Sequence, residues 1–270
     1  MNLFEFLSYP FMQRAVIAGL FLGILLASLG VIVTLRKMAF FGEGIAHASL
    51  AGIAIAVLTG ISSLPVAIVW SVILALLIFA LEHRTHLSTD AVIGIFFTFS
   101  MAIGVVIMQL IPGYQPELIS FLFGSILSIS VADVLVTVGC TLVILSWYYL
   151  SRRQLLFLSL SEEQAIVSGV PVRIQTALLY VALAIATVLG VKMLGIILIS
   201  ALLILPASIS QMLSTSLRTH VILSVVVADF IIFFGLALSF YLDLPSGATI
   251  VLLGSLLFFL VSIKHLFRWS

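Results

Sequence analysis

Long apolar runs separated by short polar breaks fill the chain from Val16 to Ile263. A helix needs about 20 apolar residues to cross the hydrocarbon core of a bilayer, and lipid-exposed backbone must satisfy its own hydrogen bonds. The pattern therefore predicts nine spanning helices, near residues 14–35, 43–59, 65–81, 90–111, 131–150, 174–190, 193–214, 219–241 and 248–263. Eight spans remain an alternative, because 43–59 and 174–190 are short and 119–130 is compatible with a re-entrant segment.

Pro206 lies inside the apolar run 196–209. A proline lacks the backbone donor of a helix interior and bends the helix there. Kinked helices suit the moving parts of transporters, and an ordinary packing kink is the alternative interpretation. Neither an internal repeat nor a low-complexity tract divides the chain, so residues 1–270 predict a single transmembrane domain.

Composition supports the same class of protein. The 270 residues are 63% hydrophobic and 8% charged, whereas soluble domains carry about 25% charged residues. The expected fold is an all-α, polytopic helical membrane protein with the lipid bilayer as its surroundings. A net charge of +1 gives no basis for nucleic acid as a partner.

The basic residues predict the orientation, because short cytoplasmic loops collect Lys and Arg. With nine spans and the N-terminus outside, the outer face holds Arg14 and Lys192. The inner face then holds the other nine basic residues: Arg36, Lys37, Arg84, Arg152, Arg153, Arg173, Arg218, Lys264 and Arg268. This bias predicts a cytoplasmic C-terminus.

Glu43 and His47 form a charged pair at the start of the second span. Side chains four positions apart lie on one helix face, about 5–6 Å apart at Cβ. A carboxylate and an imidazole suit Zn(II), Mn(II) or Fe(II), and an ionisable group at membrane depth is a functional candidate. The alternative is an interfacial Glu43 beside Arg36 and Lys37. Small residues around the pair, such as Ala46, predict a helix buried in protein.

A short cytoplasmic helix is predicted at 161–169 (SEEQAIVSG). Ser161 and Gln164 match a capping box, in which each side chain binds a free backbone N–H of the other residue. Glu162 and Glu163 suit the positive end of the helix, and Gly169 provides its stop. Such a helix is either a connector or a docking lever for a soluble partner.

Other polar residues give weaker signals. The chain has no Gly-Lys dipeptide and therefore no Walker A loop for ATP. Glu82, His83 and His86 lack the His-Glu-x-x-His spacing of zinc proteases and are interpreted as a solvated loop, which argues against an intramembrane metalloenzyme. Asp90 is interpreted as part of a helix start. Asp133 and Asp229 are secondary pathway candidates, with hydrogen bonding at a helix end as the alternative.

Five segments resemble those of a known family: 36–52 (RKMAFFGEGIAHASLAG), 121–127 (FLFGSIL), 161–169, 195–206 (GIILISALLILP) and 243–247 (DLPSG). On these segments the chain resembles the zinc/manganese/iron permeases of bacterial ABC importers, and most closely the permease of the high-affinity zinc systems. The family usually has Asp where this chain has Glu43, so the carboxylate is kept and its reach is one methylene longer.

The resemblance implies a transporter subunit and no enzyme of its own. It implies two permease copies in the inner or cytoplasmic membrane, two ATPase subunits beneath them and an extracytoplasmic metal-binding protein above. The cargo would be a divalent metal, zinc first with manganese and iron as alternatives, and no permanent cofactor is expected. Glu43 and His47 would line the path, and a coupling helix would include Ser161, Glu162, Glu163, Gln164, Ala165 and Gly169. An ion-coupled secondary metal transporter is the alternative function.

Overall fold

A computed structural model of the chain describes residues 5–85, 87–111 and 129–266. These residues form helices and no strand. A short 3-10 turn, Glu5–Ser8, precedes the helices, which are α1 Pro10–Leu35, α2 Phe40–Thr59, α3 Ser63–Glu82, α4 Thr89–Leu110, α5 Val131–Leu150, α6 Arg152–Leu160, α7 Glu162–Val167, α8 Val172–Leu194, α9 Ile196–Leu213, α10 Leu217–Leu242 and α11 Ser246–Leu266.

Nine of the helices in the described ranges are long and apolar enough to cross a membrane, namely all except α6 and α7. The prediction of an all-α polytopic protein with nine spans is confirmed, and the span boundaries agree to within a few residues at most ends. The possible re-entrant segment at 119–130 falls outside the described residues except for Ile129 and Ser130, so that interpretation stays a prediction.

The break predicted at 191–192 is wrong. Helix α8 continues to Leu194, and Gly195 alone separates it from α9, with a φ of 84° that favours glycine. Lys192 therefore lies in the last turn of α8, where its ammonium pairs with the carboxylate of Asp133 at 2.5 Å. Because this ion pair and the helix C-terminus both accommodate the positive charge, Lys192 does not end the helix.

Helices α1, α2 and α8 form the most buried part of the bundle. By hydropathy α2 is the least apolar of the nine spans, yet most of it is enclosed by protein. Glycine permits its close contacts: a Cβ on Gly52 would lie 2.9 Å from the Cα of Ala67 on α3, and one on Gly104 of α4 would lie 3.1 Å from the backbone nitrogen of Ala51. The prediction that small residues bury this helix in protein is confirmed.

Helix α1 crosses α9 at the closest approach between two backbones among the described glycines. A side chain at Gly30 would overlap the carbonyl oxygen of Leu203, which belongs to the backbone and cannot move aside alone. Because Gly30 has no side chain, α1 can make direct backbone contact with α9 at this position.

Pro206 lies inside α9, and the helix continues through it to Leu213. The proline ring is buried, and its missing N–H leaves the carbonyl of Leu202 without its usual helical partner. The location of Pro206 in a helix interior is as predicted. A functional bend at this residue stays a prediction.

Replacement of Gly30 by Ala should destabilise the protein, because the added methyl group forces α1 and α9 apart. Overpacking typically costs about 1–3 kcal/mol, and the unyielding backbone partner places this site at the upper end. Thermal unfolding of the purified chain in detergent would measure the effect. Gly139→Ala is the matched control, since a Cβ there meets nothing within 4 Å. Equal unfolding temperatures for the two variants would contradict this packing.

The predicted orientation can be tested by labelling single cysteines in a Cys140→Ser background. Asp243→Cys should react with an impermeant thiol reagent from outside, as should Glu117→Cys, which lies beyond the described residues. Arg84→Cys, Arg153→Cys and Arg218→Cys should react only from the cytoplasmic side, because basic residues collect there. Labelling of Arg84→Cys and Asp243→Cys from the same side would refute the nine-span orientation.

Candidate functional site

One narrow stripe of α2 escapes burial near its N-terminus. It consists of Phe40, Glu43 and His47, which follow one another at helical spacing. Phe40 and Glu43 are exposed and His47 is half-buried, whereas the intervening residues of the helix are mostly buried. The predicted placement of Glu43 and His47 on one helix face therefore agrees with the helical backbone of α2.

A hydrogen-bonded lock next to His47 fixes α2 against α3 and α4. The backbone carbonyl of Ala48 accepts hydrogen bonds from Ser100 Oγ at 2.5 Å and from Trp70 Nε1 at 3.2 Å. The same indole N–H also lies 2.8 Å from Ser100 Oγ. Interhelical hydrogen bonds of this kind stabilise contacts where helix packing has no hydrophobic driving force. The lock sets the rotation of α2 and hence the direction of its polar stripe.

A cleft of about 310 Å³ lies between the stripe and α4. It is lined by Phe40, Glu43, Gly44, His47, Asp90, Ile93, Gly94 and Phe97. Gly44 makes the cleft possible by letting α4 approach, since a side chain there would overlap Ile93. The cleft is open on one side, so its charged groups face away from the bundle of the single chain.

Asp90 is the residue of this site that sequence reasoning missed. It was interpreted as part of a helix start, and α4 does begin at Thr89 with Ser88 as its cap. The Ser88 hydroxyl accepts from the Ala91 N–H at 3.3 Å, which leaves the Asp90 carboxylate available to the cleft. The spacing of Asp90, Gly94 and Phe97 along one face of α4 was the available signal.

The ionisable groups of the cleft have no charged partner within the described ranges. Glu43 and Asp90 form no ion pair or hydrogen bond there, and Arg36 reaches instead towards Thr176 Oγ1 at 3.4 Å on α8. His47 makes one ring contact, with Phe97, at a centroid distance of 5.4 Å and an interplanar angle of 62°. Edge contact of this kind positions the imidazole without using its nitrogens.

Both carboxylates lie near helix N-termini: Glu43 belongs to the first turn of α2 and Asp90 to that of α4. Helix dipoles stabilise negative charge at such positions. The two helices thus hold acidic groups at the same end of one cleft, with His47 one turn deeper. Carboxylate and imidazole are donor types that suit a divalent transition metal, but no group of three His, Cys, Asp or Glu side chains among the described residues is placed to hold a metal ion.

The two secondary candidates lie elsewhere. Asp133 caps α5: its carboxylate accepts from the backbone N–H of Ser130 at 3.1 Å, and the Ser130 hydroxyl accepts in return from the Asp133 N–H. These contacts and the ion pair to Lys192 agree with the alternative interpretation, in which Asp133 is hydrogen-bonded at a helix end. Asp229 lies on α10 against Gly23 of α1, where one buried carboxylate oxygen has no hydrogen-bond partner among the described residues. A pathway role for either residue stays a prediction.

Glu82 differs from the solvated-loop interpretation. It is the last residue of α3, and its carboxylate accepts hydrogen bonds from the fully buried Tyr180 at 2.5 Å and from Thr89. These contacts join α3, α8 and the start of α4. The sequence could not show this, because Tyr180 lies 98 positions away from Glu82. His83 contacts the carbonyl of Phe79, and His86 lies outside the described residues.

The predicted coupling segment forms helix α7, with Ser161 as its N-cap. The Ser161 hydroxyl accepts from the Gln164 N–H at 3.3 Å, but the reciprocal half of the predicted capping box is absent. The Ser161 N–H is already used, because it donates to Phe157 at the end of α6 at 3.1 Å. At the other end Gly169 has a φ of 74° and Val170 donates to Ala165, which is the predicted glycine stop.

Helix α7 exposes apolar side chains as well as its acidic ones. Ala165 is fully buried and anchors the helix, whereas Ile166 and Val167 are 61% and 89% exposed. Glu162, Glu163 and Gln164 are exposed as well. An exposed apolar pair on a short, capped helix outside the membrane spans is a surface suited to a protein partner.

The nine apolar spans of the described ranges, with a cleft of unpaired polar groups between α2 and α4, are those of a polytopic membrane transport protein. The chain belongs to the ABC 3 transport family, which it matches over residues 8–265.

Three similar proteins illustrate the family. The manganese transport system membrane protein MntC of Halalkalibacterium halodurans is 34% identical over 254 residues, which cover 94% of this chain and 87% of that protein. The high-affinity zinc uptake system membrane protein ZnuB of Haemophilus influenzae is 29% identical, with coverage of 93% and 96%. The solved structure of PsaBC from Streptococcus pneumoniae in complex with Fab is 29% identical, covers 95% of this chain and 94% of that one, and gives a TM-score of 0.84.

Proposed function

We propose that this ABC permease subunit carries a divalent transition metal, zinc or manganese, into the cell along the cleft between α2 and α4. The observation that carries the proposal is the convergence of Glu43, His47 and Asp90 on that cleft without a charged partner in the described structure. Unpaired ionisable groups on membrane-spanning helices are costly and often mark ion pathways. Similarity to a manganese and a zinc transport protein supports this class of cargo.

A second copy of the chain would complete the site. The described residues of one chain hold no group of three His, Cys, Asp or Glu side chains placed for a metal ion, whereas zinc binds four ligands and harder cations bind more. Met101 and Val105 of α4 follow Phe97 at helical spacing and are exposed, so they extend the apolar surface on the open side of the cleft. Pairing of two copies across this face would shield the charges from lipid and bring two sets of donors together. The metal would then lie between the copies, held loosely enough to be released.

ATP hydrolysis would occur on separate ATPase subunits that bind α7 from the cytoplasm. The exposed Ile166 and Val167 supply the apolar contact, and the acidic residues at the start of α7 supply charge for a basic partner surface. An extracytoplasmic binding protein would deliver the ion on the opposite face. Membership of the ABC 3 transport family favours this arrangement over the ion-coupled secondary transporter.

The pathway assignment is tested by Glu43→Gln and His47→Ala in vesicles that contain the complete transporter. Each variant should reduce uptake of zinc or manganese to background, because each removes a donor that replaces part of the hydration shell of the ion. Insertion and assembly should be unaffected, since neither substitution adds a charge to a membrane-spanning helix. Equilibrium binding to the wild type should give one ion for two chains.

Matched control variants distinguish a role of the cleft from general effects of removing a carboxylate or an imidazole. Glu5→Gln and His83→Ala change the same residue types outside the cleft and should leave uptake unchanged. Normal uptake by both cleft variants would refute the pathway, and binding of one ion to each isolated chain would refute the shared site.

The coupling role of α7 is tested by Ile166→Pro. Proline in a helix interior costs about 3 kcal/mol, which a six-residue helix cannot absorb. We expect ATPase activity that no longer responds to the metal-loaded binding protein, or loss of the ATPase subunits during purification. Ser161→Ala removes the cap, at a cost of about 1 kcal/mol, and should have an intermediate effect.

Ile166→Leu is the control, because it retains both the helix and an apolar side chain. It should couple normally. Normal stimulated hydrolysis and normal uptake with Ile166→Pro would show that the ATPase docks elsewhere.

A further inference from the structure

A second cavity, of about 700 Å³, lies on another part of the molecule. Helices α5 and α10 both pack on α1 but make little contact with each other, so a gap remains between them. Val31 and Ile32 of α1 form its buried floor, and Ile222 of α10 and Tyr148 of α5 line its walls. No other helix of the described ranges lies between α5 and α10, so this gap is open to the surroundings of the single chain.

Two arginines lie at this cavity. Arg152 is the first residue of α6 and Arg218 the second residue of α10. Neither forms an ion pair or a side-chain hydrogen bond with any residue that the structure describes. The Arg152 guanidinium lies 4.6 Å from the centroid of the Tyr149 ring, which holds it at the cavity without neutralising its charge.

Further features of the cavity favour a negative ligand. The N-termini of α6 and α10 add their partial positive charges to those of the arginines. The hydroxyl of Tyr148 has no hydrogen-bond partner in the described part of the chain and is available as a donor. The lining residues that the structure describes include no acidic side chain.

The cavity is polar at one end and apolar beneath. Arg152 and Arg218 are exposed, whereas the floor at Val31 lies four residues before the end of α1, which corresponds to a depth of about 6 Å. Both arginines belong to the face predicted to be cytoplasmic. In the predicted orientation the cavity would span the boundary between head groups and acyl chains of the inner leaflet.

We propose that this cavity binds an anionic phospholipid, with the phosphate between Arg152 and Arg218 and the upper part of an acyl chain against Val31, Ile32 and Ile222. Basic pockets between membrane helices on the cytoplasmic side are suited to such head groups. The apolar floor favours a lipid over a soluble phosphate, which would gain nothing from it. The lack of acidic lining residues favours an anionic head group over phosphatidylcholine, whose cationic end would have no partner.

Native mass spectrometry of the full chain in mixed micelles tests the proposal. The micelles contain equal amounts of phosphatidylglycerol and phosphatidylcholine with identical acyl chains. Since each basic residue near the membrane contributes roughly fivefold in affinity, the wild type should retain phosphatidylglycerol over phosphatidylcholine by about 25-fold. Arg152→Gln combined with Arg218→Gln should abolish this preference. Ile222→Trp should lower retention of the lipid by filling the cavity without a change of charge.

The double variant Arg84→Gln with Arg173→Gln is the matched control, because it removes two charges from the same predicted face outside the cavity. It should keep the preference of the wild type. Equal retention of the two lipids by the wild type, or equal losses in the two double variants, would overturn the proposal. Displacement of phosphatidylglycerol by excess inorganic phosphate would also overturn it, since the site would then bind a soluble anion.

Discussion

Close packing of α2 against its neighbours is the constraint on which the rest of the structure depends. Ionisable side chains on a membrane-spanning helix are less costly where protein, and not lipid, surrounds most of that helix. Glycines allow this enclosure: Gly52 admits α3, Gly104 allows α4 to reach α2, and Gly44 lets Ile93 approach. The lock at the Ala48 carbonyl then fixes the rotation of α2, so that Glu43 and His47 face the cleft.

Much of the fold follows from the sequence because membrane spans are specified locally. Apolar length predicts each helix, and the spacing of Glu43 and His47 places both on one face. Local reasoning fails where a distant partner decides the outcome. Lys192 interrupts the apolar pattern, but it lies within α8 and its charge pairs with Asp133. Glu82 lies in a polar stretch of sequence, but its carboxylate accepts a hydrogen bond from the buried Tyr180. Periodicity alone does not reveal either partner.

In the candidate site as well, local spacing predicts some residues, whereas others are brought in by the packing of distant helices. The pair on α2 was predictable, whereas Asp90 joins it only through the packing of α4. Only one half of the capping box predicted for α7 forms, and the reason is again a contact outside the motif. A capping box requires a free N–H at the N-cap, and the preceding helix α6 ends directly before Ser161, so this N–H donates to Phe157. A sequence motif alone does not show that the backbone N–H it requires already donates to another residue.

The two cavities carry side chains of opposite charge, so ligands of opposite charge fit them. The cleft on α2 and α4 carries two carboxylates and an imidazole, so its complement is a cation. The gap between α5 and α10 carries two guanidinium groups above an apolar floor, so its complement is an anion with an apolar tail. The bilayer supplies the second ligand continuously but cannot supply the first. In the proposed function, the unpaired charge in the cleft is matched by a transported ion and a covering protein surface, whereas the unpaired charge in the gap is matched by the proposed lipid.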